Sequence, residues 1–455
     1  MKKMILLITL LLCLTSYAKQ TQPNLVLLIS DDSSHWDFGC YGSPDSITPN
    51  IDKLASEGLR FERCYQAAPM CSPTRHNLYT GIWPVKSGAY PNHTFVMPGN
   101  KTIVQRLKPL GYRVALSGKT HIGPKKVFDF EYLGKGKNPD YKAVDVFIED
   151  AKKKKQPFCL FLCSNEPHTP WNKGNPKLFD ADKITLPPMI VDTPETRKGF
   201  VKYLAEINYL DGQVGQALDL LKKHKLSNNT LFIFTSEQGN SLPFAKWTCY
   251  NAGLHTAFIA RYPGIIEPGT VSQALIDYSD VVPTFIELAG GEIPEYLDGK
   301  SMVPVLTGQS KSHKDYSFGL QTTRGINNGS DYFPIRSVTD GEYRLVLNLS
   351  PEATFQNAAT RGEIWNSWKV LAARGDAFAK QQVAAYEHRP AMELFNVLED
   401  PYNMNNLMAD PKQQERVAAL KEALLTWMDA CGDKGLGTEM EAKDHQRGAV
   451  KKYYQ

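Results

Sequence analysis

Several absences bound this chain before any motif is read. Charge of one sign is missing: 52 Lys and Arg against 48 Asp and Glu leave only +4 over 455 residues. With no basic block, this argues against a general nucleic-acid binder and leaves room only for a local anion site built from particular residues. Long apolar runs are missing too, since no segment approaches the roughly 18 uninterrupted apolar residues of a membrane helix. Among the eight cysteines there is no Cys-x-x-Cys pair of the zinc-site kind. Internal repeats and low-complexity tracts are also lacking. What remains, 42% hydrophobic and 22% charged residues, is the composition of an ordinary globular enzyme that can bury a large core.

The start reads Met1-Lys2-Lys3, an apolar stretch from Met4 to Leu14, then Thr15-Ser16-Tyr17-Ala18. This is the pattern of a secretory signal peptide over residues 1–18, too short to span a bilayer. The mature protein is expected in the periplasm or outside the cell, with no membrane contact after cleavage. Leucines rather than small residues precede Cys13, which argues against lipidation. Removing Cys13 leaves Cys40, Cys64, Cys71, Cys159, Cys163, Cys249 and Cys431, an odd number in an oxidising compartment. At least one of them therefore does something other than pair. Cys159 and Cys163 lie in an apolar run and read as buried free thiols.

Asn24 to Ser30 is a continuous apolar run ending in Asp31-Asp32, the pattern of a parallel strand whose carboxyl end opens on a site. Similar runs at Arg113–Ser117, Phe158–Ser164 and Leu231–Ser236 alternate with helical stretches at Asn50–Glu57, Lys101–Leu107 and Lys198–Lys223. The expected fold is therefore α/β, a sandwich with a large, mostly parallel sheet between helices, occupying residues 22–310. After Gly308-Gln309-Ser310 the strands become shorter and alternating, as in Tyr343–Leu347, and a last helix runs from about Pro411 to Ala430. Residues 311–455 are read as a smaller subdomain with an antiparallel sheet and one helix that completes the substrate pocket, with a loosely held tail after Gly432.

The most informative segment is Cys71-Ser72-Pro73-Thr74-Arg75, which fits Cys-x-Pro-x-Arg. Pro73 suits the first turn of a helix, and Arg75 would lie near its N-terminus, where backbone N–H groups favour anions. The bland alternative is a half-cystine at Cys71 and a surface charge at Arg75. Further polar groups follow in Gly118-Lys119-Thr120-His121, Asn165-Glu166-Pro167-His168-Thr169-Pro170, Ser236-Glu237-Gln238-Gly239 and Lys246.

Together, and in this order, these segments resemble the formylglycine-dependent sulfatases of the alkaline-phosphatase-like superfamily. The resemblance runs from Asn24 into the C-terminal region. It implies that a maturation enzyme oxidises Cys71 to Cα-formylglycine, whose hydrate attacks sulfur with one hydroxyl and expels sulfate with the other. It also implies that Asp31, Asp32, Glu237, Gln238 and residue 71 hold one divalent cation, calcium ahead of magnesium. Glu237 and Gln238 depart from the family, each one methylene longer than the usual Asp and Asn. Arg75 and Lys119 would stabilise the formylglycine oxyanion and Lys246 the sulfate. His121 would take a proton during sulfate elimination, and His168 would donate one to the leaving atom.

Gly118–Pro124 with Phe128-Asp129-Phe130, Tyr332–Val338, Tyr343–Leu349 and Met392–Asn396 leading to Asp400-Pro401 are similar to the heparan N-sulfatase branch. That similarity implies a sulfated, glycosaminoglycan-type carbohydrate, possible substrates including N-sulfoglucosamine. The alternatives are an O-sulfatase acting on another sulfated glycan, a phosphate or phosphonate monoester hydrolase of the same superfamily, and a non-catalytic glycan binder. His93, Arg336, His388 and Arg389 are candidates for reading the sugar, and Arg336, His388 and Arg389 are equally candidates for interdomain ion pairs. Trp247 reads as a packing residue, with stacking on a sugar as the alternative.

Overall fold

The computed structural model describes residues 22–326 and 328–454, so the expected signal peptide and Cys13 lie outside the described residues. The first sheet has nine strands: β1 (Asn24–Ile29), β2 (Leu59–Tyr65), β3 (Arg113–Gly118), β4 (Glu131–Leu133), β5 (Phe158–Cys163), β6 (Thr230–Thr235), β7 (His255–Arg261), β8 (Thr270–Ser272) and β9 (Ile276–Asp277). Their order is β4-β3-β5-β1-β6-β7-β2-β8, with β9 also paired to β2. Only β7 runs against the rest, pairing antiparallel with β6 and β2.

Every residue of β1, β5 and β6 is buried, as their unbroken apolar runs require of strands covered on both faces. Alternate side chains serve two cores. Val26, Leu28, Leu160, Leu162, Phe232 and Phe234 meet the helices Tyr141–Lys153 and Pro194–Lys223. Leu25, Leu27, Ile29, Phe161 and Ile233 meet the helices Cys71–Thr80 and Val281–Leu288. At about 1.5–3 kcal/mol for each fully buried large apolar side chain, these two layers are the main source of stability. The long helix starts four residues earlier than the sequence suggests, because Thr193 caps it through Thr196 N and Pro194 takes the first position.

The second sheet is antiparallel throughout and contains β10 (Ser317–Gln321), β11 (Ile335–Thr339), β12 (Tyr343–Asn348) and β13 (Met392–Asn396) in that order. The helix Gln414–Cys431 packs on it through Leu420, Leu424 and Trp427, whose indole stacks on Phe318 at 4.9 Å. Two further helices, Glu363–Ala373 and Ala377–Glu387, stand between β12 and β13. They escape sequence reading because their apolar face is carried by a few aromatics rather than a regular stripe. Trp365 and Trp368 are fully buried, and Trp368 Nε1 donates to Thr196 Oγ1 at 2.9 Å, fixing the pair to the long helix.

The segment after Gly432 is packed, contrary to the loose tail expected from its polarity. Asp433 ion-pairs with Arg336, Glu439 is fully buried, and Thr94 Oγ1 donates to His445 O at 2.6 Å. All seven described cysteines are free thiols. Among the described residues no helix is long and apolar enough to cross a membrane.

His35 and His255 stack at 3.7 Å beside β2, and His255 Nε2 bonds to Glu62 O at 2.8 Å. Burial pushes the His255 imidazole down to about 3 and holds His35 well below its ordinary value. Both stay neutral in the fold, whereas the unfolded chain protonates them below pH ~6.5, so this stability is lost as pH falls through that value. For His255 this amounts to about 2 kcal/mol of stability lost between pH 7 and pH 5. His255→Gln should therefore show a correspondingly smaller loss across that interval in denaturant unfolding. Equal losses in the two proteins would exclude His255 as the proton-accepting group.

Candidate active site

The carboxyl ends of β1, β3, β5 and β6 converge on one edge of the first sheet, where an open α/β sheet places its site. Asp31 and Asp32 follow β1, Lys119 follows β3, His168 lies in the loop after β5, and Glu237 and Gln238 follow β6. The helix Cys71–Thr80 is buried along its whole length and brings Cys71 to this edge at its first position.

Cys71 Sγ lies 3.6 Å from Asp31 Oδ1 and 4.0 Å from Asp32 Oδ1. Gln238 Nε2 and Lys246 Nζ approach the same sulfur at 3.2 and 3.3 Å. Lys246 Nζ also donates to both Asp32 oxygens at 2.7 and 2.8 Å, and Ser241 Oγ donates to Asp32 Oδ2 at 2.7 Å. Lys119 ion-pairs with Asp31, and Arg75 ion-pairs with Glu237 while its Nη1 donates to Lys119 O at 3.0 Å. His168 Nε2 stands 3.8 Å from Asp32 Oδ2, and its Nδ1 donates to Thr169 O at 2.6 Å. His121 Nε2 and His93 Nδ1 share a hydrogen bond of 3.0 Å.

Backbone strain collects here. Asp32, His93, His121 and Trp247 have φ of 63°, 58°, 47° and 75°, a left-handed region that costs a residue with a Cβ of order 1–3 kcal/mol and clusters at functional sites. Gly118, just before Lys119, has φ 98°, and a Cβ there would sit 2.0 Å from Cys163 O. No other residue could make that turn against β5.

The site's charges set its protonation. Burial alone would raise the Cys71 thiol, but Lys119 and then Lys246 hold it well below its ordinary value. Burial likewise opposes the ionised Asp31, and Lys119 outweighs it. The Asp32 carboxylate lifts His168, whereas burial lowers His121. One imidazole is thus biased to carry a proton and the other to accept one, a division suited to acid and base roles.

Asp31, Asp32, Cys71 and Glu237 place one ligand atom each within 4.8 Å of one another. Glu237 Oε2 and Gln238 Oε1 are buried with no hydrogen-bond partner, two orphaned acceptors in the same cluster as Asp31 and Asp32. A hard divalent cation satisfies such an oxygen set, so the residues present fit one, including the two longer side chains.

Residues 23–291 match the family described as Sulfatase, and residues 239–347 match the one described as N-sulphoglucosamine sulphohydrolase, C-terminal. The chain belongs to the sulfatase family. An ulvan-active sulfatase of Formosa agariphila is 34% identical over 92% of this chain and 82% of its own length. Human N-sulphoglucosamine sulphohydrolase is 25% identical over 89% of each chain. A solved complex with the substrate D-glucosamine-2-N,6-O-disulfate has the same fold, with a TM-score of 0.68 at 18% identity, covering 91% of this chain and 99% of that one. This sulfatase therefore has the two-sheet α/β architecture of its relatives.

The structure gathers Asp31, Asp32, Cys71, Arg75, Lys119, His121, His168, Glu237, Gln238 and Lys246, with His93 against His121. It does not bring the other sugar-reading candidates there. Arg336 in β11 is fully buried and ion-paired with Asp433. Arg389 is buried with its guanidinium over Phe355 at 3.9 Å, and the exposed His388 ends the helix Ala377–Glu387. Arg336 forms an internal ion pair, whereas Arg389 makes one bond, from Nε to Tyr386 O at 3.3 Å, and its two terminal nitrogens have no hydrogen-bond partner among the described residues. Sequence reading missed Ser241, because a serine five residues before Lys246 carries no signal until the loop folds it onto Asp32.

Proposed function

We propose that this sulfatase removes sulfate from a sulfated carbohydrate of the glycosaminoglycan or ulvan type, N-sulfoglucosamine among its candidate sugars. Both named relatives support that class. The observation that carries the reading is the position of Cys71 Sγ, within 4.0 Å of both aspartates and 3.3 Å of the Lys246 ammonium.

Cys71 is the residue to be oxidised to Cα-formylglycine by a maturation enzyme, and its hydrate supplies the nucleophilic hydroxyl. Asp31, Asp32, Glu237, Gln238 and residue 71 would hold one divalent cation, calcium ahead of magnesium; when bound it supplies fixed positive charge facing the sulfate ester. Lys119 and Arg75 hold positive charge where the attacking oxygen becomes anionic, and Lys246 does so at the sulfate. His168, biased towards its protonated form, hydrogen-bonds or protonates the leaving atom. His121 takes the proton from the second hydroxyl, and His93 holds the ring of His121 in place. The chain is exported, with residues 1–18 as its signal peptide, and acts in the periplasm or outside the cell. Residues 22–310 form the catalytic unit, and residues 311–455 complete it.

Purified, matured protein should release sulfate from nitrophenyl sulfate faster than phosphate from nitrophenyl phosphate. A dominant phosphate rate would turn the reading into the phosphate or phosphonate ester alternative. Chelation should abolish sulfate release, and calcium should restore it better than magnesium. Chelated protein should also unfold at lower temperature, because four buried acidic and amide side chains lose a shared partner. Full activity and an unchanged melting temperature after chelation would exclude the cation.

A further inference from the structure

A large open cleft of about 1300 Å³ leads away from the buried cluster. His168 and Lys246 of the cluster are among its lining residues, as is Arg374. Its walls come from the Thr169–Trp171 segment, the Ser241–Trp247 loop, the start of the Pro194–Lys223 helix and residues 358–374, which include the first of the paired helices. Pockets for a single drug-sized ligand measure about 300–1000 Å³, so this space exceeds what one sugar ring fills.

The lining suits a carbohydrate chain carrying negative charge. Trp171 and Trp247, both half-buried, are among the lining residues. Trp171 is fixed by its Nε1 bond to Pro167 O at 2.8 Å, and the Lys246 ammonium sits 5.1 Å from the Trp247 ring. Exposed Lys198, Lys202 and Arg374 stand on the walls, while Asp192 is neutralised by Arg197 at 2.7 Å. Glu195 and Glu363 remain as acceptors for hydroxyl groups. Pyranose C–H faces pack on indoles, and guanidinium and ammonium groups meet carboxylate or sulfate.

We propose that this cleft is a run of subsites for a linear, anionic oligosaccharide. The sulfated sugar lies at the His168 end, and its neighbours extend between Trp247 and Trp171 towards Lys198 and Arg374. The proposal rests on the sulfatase reading above and adds to it that the substrate is several sugars long, with recognition by side chains that take no part in the chemistry.

The test uses size-defined ulvan and heparin oligosaccharides of two and six sugars. The native enzyme should show a kcat/KM at least about tenfold higher for its preferred hexasaccharide than for the matching disaccharide. That preference should fall to within about threefold in Lys198→Ala/Arg374→Ala, whose exposed positions leave folding intact. Val370→Glu, at a cleft position 50% exposed, should reduce it as well through repulsion. Equal kcat/KM on two and six sugars, or an undiminished preference in the double variant, would overturn the proposal. Calorimetric titration of Cys71→Ala separates it from the chemistry. Tighter binding of six sugars than two, with no sulfate released by the native enzyme, supports the cleft and rejects the sulfatase reaction. Sulfate release indifferent to length retains the reaction and rejects the cleft.

Discussion

Cys71→Ala is expected to lower sulfate release by at least about 10⁴-fold, since removing a covalent nucleophile leaves only binding and electrostatic contributions. The fold should survive. Cys71 is the first residue of its helix, forms no disulfide, and contributes a small side chain whose neighbours are charged groups rather than a packed apolar layer. Thermal unfolding should therefore change little while turnover vanishes. The native peptide spanning residue 71 should show the mass of the aldehyde or its hydrate rather than that of a thiol. An alanine variant that still turns over, or a native protein active with an intact thiol, would defeat the mechanism.

Arg75→Ala should lose both activity and stability. The guanidinium is fully buried and ion-paired with the equally buried Glu237, and it also binds the Lys119 carbonyl. Removing it leaves a buried carboxylate without its partner, a loss of about 3–5 kcal/mol, and frees the backbone that aims Lys119 at Asp31. Adding Glu237→Gln to Arg75→Ala should recover part of the stability, because the stranded charge disappears, but none of the activity, because the Arg75 guanidinium proposed to face the attacking oxygen is still missing. If the double variant melts no higher than the single one, the pair is not what holds this part of the core together.

The sheet and the site were legible in the sequence for the same reason: strands buried on both faces are written as unbroken apolar runs, and polar residues directly after them land at one edge. Asp31-Asp32 is read this way, whereas Gly118-Lys119 and Ser236-Glu237 are singled out by the resemblance to the sulfatases. The His168 loop and Lys246 likewise rest on that resemblance rather than on periodicity. The cleft was not legible, because its walls join positions near 170, 198, 245 and 370 whose side chains are individually ordinary surface residues. The packed segment after Gly432 escaped for a related reason. Its anchors are polar, with Asp433 on Arg336 and Glu439 accepting from Thr323 and Arg324, and composition cannot tell a polar anchor from a solvated one.

The seclusion of Cys71 also fixes an order of events in the cell. Its side chain is 2% exposed and its whole helix is enclosed, so no second protein can clamp that peptide in an active cleft once the chain has folded. Under the maturation proposed above, an enzyme that oxidises this thiol would have to act on the nascent or still-extended polypeptide, in competition with collapse. Yield of active enzyme would then be governed by a race between two rates, and slowing folding by cooling or mild destabilisation would favour the modifying partner.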